Sequence, residues 1–452
     1  MTTFFLHNSR ATCLAVILVA SGSLAVSART QAQSSASTPQ VKVITTAVAH
    51  DQRLVGLAWS PDGKMLASLG EDRRIKFWDE RGKQVNTVVE LPFAATAIYW
   101  SPDGEKIAAS GGRFAAIFGL DGRQLARLTG HVGDITSFSW SRDSRMILTS
   151  SEDRTSKLWD AQSGRTLLTI TPGGEQRKQT KSLLKALFTR SVLFDSESTQ
   201  ASFASDQTIV TASATAFSQK FPRLWNVTTG QQVAKLQASA SDSKPDFVAI
   251  TPDRRMIVTS GFGGASLWDA RTGRLIGPLE DLRGSVSFSP DGKNILANGC
   301  FKRTRVGCYP QAAIWDVATR QRIMTLDSPT DAFIGLGWSG DGRKIVTSVR
   351  HKHASIWDAE NGGLITTVPL VKERGWVTDY EDYLMLSSHG QILFAVTDKY
   401  VKFWNATTGD LILEHDSLKK GTPLPFSVRP QGDVVAAADG KTGKLWLWSI
   451  SE

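Results

Sequence analysis

The amino-acid sequence predicts an all-β fold assembled from one repeated unit. Three observations carry this. An aromatic residue closes an apolar run at Trp78, Phe118, Trp159, Trp225, Trp268, Trp315, Trp357, Trp404 and Trp448. The spacings are 40 to 47 residues with one exception of 66, and such a period is the signature of a repeat architecture. Upstream of most of these aromatics stands a turn of the type Ser-Pro-Asp-Gly, flanked by runs of alternating apolar residues.

The first unit shows why each segment takes its form. Leu54 to Trp59 (LVGLAW) alternates as a half-buried strand does. Ser60-Pro61-Asp62-Gly63 then reverses the chain, because Pro presets φ at the second position and Gly accepts the left-handed conformation at the fourth. The turn returns at Ser101 to Gly104 and Ser289 to Gly292. Looser versions stand at Ser141 to Ser144, Thr251 to Arg254, Ser339 to Gly342, Ser387 to Gly390 and Arg429 to Gly432; the fourth unit, near Ser205-Asp206, is the most worn. A strand of small residues follows (MLASLG), then a polar corner, a strand ending in Trp-Asp, a second turn (AQSG, ARTG, ATTG) and a fourth strand such as RTLLTI, Arg165 to Ile170.

These residues resemble the WD-repeat β-propeller family. Trp-Asp stands at Trp78, Trp159, Trp268, Trp315 and Trp357, and Trp-Asn at Trp225 and Trp404, over residues 41 to about 450. The family's structural tetrad matches His50, Ser68, Asp72 and Trp78 in the first unit, and His131, Thr149, Asp153 and Trp159 in the third. Elsewhere the set is incomplete, Phe118-Gly119 replaces Trp-Asp, and apolar packing between sheets is expected to serve instead. The resemblance implies one ring, with nine blades as the first count and eight as the fallback. It assigns the fourteen Trp mainly to blade cores. The last unit lacks a fourth strand, and Val41 to Ala47 is a strand with no other partner, so the two are expected to pair and close the ring.

The N-terminus reads differently. Arg10, the apolar run Cys13 to Ala20, a Ser/Gly break and small residues to Ala28 describe a signal peptide over 1–28, with Thr30-Gln31-Ala32 as a second cut site. The run is short for a membrane span of ~20 residues, although a retained anchor stays open. Residues 29–40 read as a flexible polar linker, and 41–452 as the propeller, with no transmembrane span in the mature chain. Export, to the periplasm or the medium, would leave Cys300 and Cys308 in an oxidising compartment, where they form a candidate disulfide.

A meander of four strands sends the loops between second and third strands, and between blades, to one face. Three departures from the period map to that face. The long gap holds a basic helical insertion near 173–196, with Arg177, Lys181, Lys185 and Arg190. Gly299 to Cys308 is a lengthened hairpin loop carrying Lys302, Arg303 and Arg305. Val371 to Tyr383 adds Arg374, Trp376 and Tyr380, residue types that interface hot spots favour. Each has a plainer reading, as a solvated capping helix, a stabilising staple and rim packing respectively.

Chemistry beyond binding finds little support. Two histidines in Arg350-His351-Lys352-His353 lack a third ligand, so no metal site is expected. No GxSxG, HExxH, Walker or GxGxxG pattern precedes the right element, and no cofactor is expected. The formal charge of +9 admits acidic or anionic partners, but export and the lack of a basic repeat argue against nucleic acid. The sequence therefore points to a non-catalytic protein-binding scaffold of the envelope or secreted fraction. The competing readings are an exported propeller enzyme, lactonase- or quinoprotein-like, acting from the central channel, and an intracellular WD-repeat protein.

Overall fold

The computed structural model describes residues 38–171, 199–213, 221–238, 245–261, 263–304, 307–326, 333–349, 353–370, 383–396, 400–415, 425–439 and 442–451, with the pair 16–17. Among these residues every regular element is a strand, and no helix is long and apolar enough to cross a membrane. Nine antiparallel sheets of four strands form the blades, and Val16–Ile17 adds in parallel to the inner strand of the fifth. The first blade comprises Leu54–Trp59, Met65–Gly70, Arg74–Asp79 and Gln84–Glu90, from the axis outward. Blades two to eight span 97–128, 135–170, 199–235, 247–279, 286–326, 333–369 and 383–415.

The ninth blade closes the ring. Its strands Phe426–Val428, Val434–Ala438 and Lys444–Ser451 are completed by Gln40–Val48, which pairs from Gln40 with Ser451 to Val48 with Lys444. On the turn face, Arg429 of blade nine meets Glu80 of blade one at 3.0 Å, and Gln431 donates to the Asp62 carbonyl at 3.0 Å.

The core is divided among the gaps between blades. Nine apolar clusters occupy nine blade-to-blade interfaces, from Val434, Ala436 and Leu447 against Leu54, Leu66 and Trp78 round to Phe394 and Phe403 against Trp448. The aromatic that ends each third strand always packs toward the preceding blade. Each second strand is covered on both faces, so it reads as a continuous buried run of small and aliphatic residues, as in Met65–Gly70 and Lys106–Gly111. Sheets that converge on an axis leave little room there, which is why Ala, Ser and Gly fill these strands.

The turns follow the chemistry of their residues. Ser60 Oγ donates to Asp62 at 2.6 Å and accepts from the Met65 amide at 3.0 Å, while Gly63 sits at φ 72°. Where Gly is replaced, Ser144 and Arg254 hold the same left-handed conformation at φ 59°, a strained state for a side chain with a Cβ.

Two placements differ from the sequence reading. His353 belongs to a strand, His353–Asp358, where it pairs with Val349 and Pro369, rather than to a loop. Gly299 to Cys308 is also mostly strand: Asn294–Thr304 and Gly307–Asp316 stay in register out to Thr304 opposite Gly307. Backbone pairing simply continues past the blade edge in both cases.

Candidate functional site

The sharpest polar constellation lies under the loop face of blade one. Trp78 Nε1 donates to Ser68 Oγ at 2.9 Å, and His50 Nε2 lies 2.9 Å from the same oxygen. His50 Nδ1 lies 2.9 Å from Asp72 Oδ2. An indole only donates and a carboxylate only accepts, so with a neutral imidazole the chain runs from Trp to Ser, Ser to His and His to Asp. Burial accordingly pushes His50 below its ordinary 6.5, outweighing the pull of Asp72.

Blade three repeats the arrangement. His131 joins Asp153 and Thr149 at 2.8 Å each, and Trp159 donates to Thr149 at 2.8 Å. Burial also lowers His131. Although burial pushes Asp153 up, hydrogen bonds from Thr155, His131 and the Val132 amide hold it at about 2.

Ser68, His50 and Asp72 have the connectivity of a nucleophile, a base and its orienting acid. The surroundings exclude that role for them. Ser68 is fully buried, its oxygen already accepts the indole hydrogen, and no substrate atom can approach it. A built Cβ on Gly70 would lie 2.5 Å from both His50 Nδ1 and Asp72 Oδ1, so the backbone itself seals the pair. The set braces the loop between blades.

Half of the set persists where the sequence reading expected apolar packing alone. Trp225, Trp268 and Trp357 donate to Thr211, Thr259 and Thr347 at 2.8 to 2.9 Å. In each case the hydroxyl stands two residues beyond the Trp partner in the second strand. In the sequence, only Thr347 of these stands the same 10 residues before its Trp as Ser68 does, and that spacing was the available signal. Blades two, six, eight and nine carry Ala109, Ala297, Ala395 and Ala437 there. Trp315 turns instead to the Glu280 carbonyl at 3.0 Å.

The candidate partner-binding residues fall largely elsewhere. Arg177, Lys181, Lys185, Arg190, Arg305, Arg374, Trp376 and Tyr380, with the helical insertion, lie outside the described residues. Lys302, Arg303, Cys300 and Cys308 are described by backbone only: Lys302 pairs with Tyr309, Arg303 with Cys308, and Cys300 with Pro310. They occupy an arm of blade six that runs beyond the corner where the other second strands stop.

The match to a family model falls on the same two units that hold complete tetrads. The family model for the WD domain, G-beta repeat, matches residues 41–79 and 122–160. Two of the nine units thus match that repeat. The chain is 27% identical over 336 residues to a guanine nucleotide-binding protein subunit beta of Solanum tuberosum, covering 68% of this chain and 81% of that one. The subunit beta of Arabidopsis thaliana is 26% identical with the same coverage. The C-terminal WD40 domain of Sif2 superimposes with a TM-score of 0.52 at 14% identity, over 91% of this chain and 99% of that domain, which speaks to fold alone.

Proposed function

We propose that this WD-repeat propeller is a non-catalytic scaffold, exported to the periplasm or the medium, that holds protein partners on its loop face. The observation that carries the proposal is the uneven distribution of irregularity. The turn face repeats one hydrogen-bonded pattern in most blades, whereas blade six carries its arm at the loop face, and both long departures from the period fall in sequence between the fourth strand of one blade and the first strand of the next. Loops on a rigid frame can vary without cost to the core, which is where binding residues accumulate. The histidine–carboxylate pairs of blades one and three serve the frame, which favours binding over catalysis at that face. Relatives named as subunits work within assemblies, and that supports the same reading. Residues 1–28 would direct export and 29–40 would tether the ring.

A pull-down from the exported fraction tests this. Wild type is compared with a variant carrying Lys181→Glu, Lys185→Glu, Arg303→Glu and Arg305→Glu. Loss of at least one partner is expected. An unchanged partner set would remove the choice of face.

A further inference from the structure

Cys300 and Cys308 stand on a part of the molecule whose register is weakly held. The inner strand of blade six begins at Val286, opposite Ala297, and its outer strand ends at Leu326, opposite Ala312. Beyond those residues the arm is a ribbon of two strands, paired from Asn298 opposite Ala312 out to Thr304 opposite Gly307. A two-stranded ribbon is marginal in water, and without a buried face nothing fixes its register strongly.

That register keeps the two cysteines apart. Cys300 stands opposite Pro310 and Cys308 opposite Arg303, so Cys308 lies two positions along from the residue that faces Cys300. Diagonal neighbours of this kind stand about 7–8 Å apart. A disulfide holds its Cα atoms at about 4.4–6.8 Å and does not form from farther apart unless the backbone moves. Two weak points lie where it would have to move. Phe301 is left out of the ladder between Cys300 and Lys302, and Pro310 brings no N–H to its pair with Cys300. A slip of two residues also keeps every position on its own face of the ribbon, whereas a slip of one would reverse them all.

We infer that Cys300 and Cys308 form a thiol–disulfide switch that sets the reach of the blade-six arm. In the dithiol form the ladder runs to Thr304 and Gly307 and carries Lys302 and Arg303 outward on paired strand. Oxidation brings Cys308 opposite Cys300 and dissolves the pairs Lys302–Tyr309, Arg303–Cys308 and Thr304–Gly307. Residues 301–307 then become a loop closed by the bridge, and the slack beside Pro310 leaves the ladder as a bulge. The oxidant is a small disulfide such as glutathione disulfide. One protein thiolate attacks it and releases the first glutathione thiol, then the second protein thiolate displaces the other glutathione. Two protein thiols thereby lose two electrons and two protons, and the oxidant gains both as it becomes two thiols. The switch rests on the reading of the loop face as the binding face, and it regulates that site by presenting Lys302 and Arg303 at two different heights.

A thiol–disulfide equilibrium tests the inference. The full chain carrying Cys13→Ser, which leaves Cys300 and Cys308 as its two thiols, is held in mixtures of reduced and oxidised glutathione. Dithiol and disulfide forms are counted by alkylation and mass spectrometry. An intramolecular disulfide is expected, and its share should follow the strength of the tip ladder. Thr304→Pro, unfavourable in paired strand, should shift the equilibrium about fivefold toward the disulfide, the worth of one ladder hydrogen bond. Pro310→Val, which restores a donor, should shift it about fivefold toward the dithiol. Absence of an intramolecular disulfide, or an equilibrium that both variants leave unmoved or move the same way, would overturn the switch. No partner enters these measurements, so they stand apart from the pull-down. Partner retention by the dithiol and disulfide forms is then compared, and a difference is expected. Equal retention, with the equilibrium responding as described, would overturn the regulation and leave the loop face as a binding face.

Discussion

At the residue scale, the two hydroxyl–histidine–carboxylate chains make stability depend on pH. Burial lowers His50 and His131 below 6.5, so the unfolded chain takes up those protons more readily than the folded one. Stability is therefore full above about 6.5 and declines as pH falls below it. Asp153, held at about 2 against an ordinary 3.8, adds a second loss between those values, because its unfolded form protonates first. Thermal midpoints measured from about pH 8 down to about pH 5 should trace the first decline. The double variant His50→Asn and His131→Asn should melt lower at neutral pH and show a flattened slope; an unchanged slope would show that other groups set it.

At the scale of the strand, the second strands decide how well each tryptophan is served. The Trp448 indole nitrogen is buried without a hydrogen-bond partner, and Ala437 occupies the position that holds a hydroxyl in blades one, three, four, five and seven. Ala437→Ser should supply the acceptor and raise stability by about 1 kcal/mol, read as a higher urea midpoint at constant slope. No gain would mean that the added oxygen finds no room. The same strands show what the sequence could and could not reveal. The period, the Ser-Pro-Asp-Gly turns and the Trp-Asp pairs are local patterns, and they made nine blades and their order legible. The two complete tetrads were legible because all four residue types are present at family spacing. The Trp225–Thr211 bond was hidden, since 14 residues separate the pair where 10 separate Trp78 from Ser68. The bulges between third and fourth strands were hidden for another reason: an extra residue in a strand leaves the apolar pattern intact and shows only once the register is known. The extended pairing around Gly299 to Cys308 escaped because its charged, glycine-flanked composition looks like a loop.

At the scale of the whole molecule, the ring holds its core in nine gaps, so stability depends on every gap being closed. Removing residues 38–48 would strip the outer strand from blade nine and bare the full edge of Lys444–Ser451. That edge is eight residues long, strand-forming and apolar, the kind that recruits a second chain. The truncated protein should elute as dimers or larger species by light scattering, whereas the intact chain has its edge covered; a well-behaved truncated monomer would show that the seam contacts of Arg429 and Gln431 suffice. The closing strand also carries a consequence for time. Gln40 and Ser451 meet although 411 positions separate them, so the seam forms only after almost all of the chain is available. Until then blade one lacks its neighbour, and Trp59 and Trp78 lie open. Folding of this ring is thus a race between late sealing and early capture by chaperones, proteases or other copies, and contacts of such long range are slow to form.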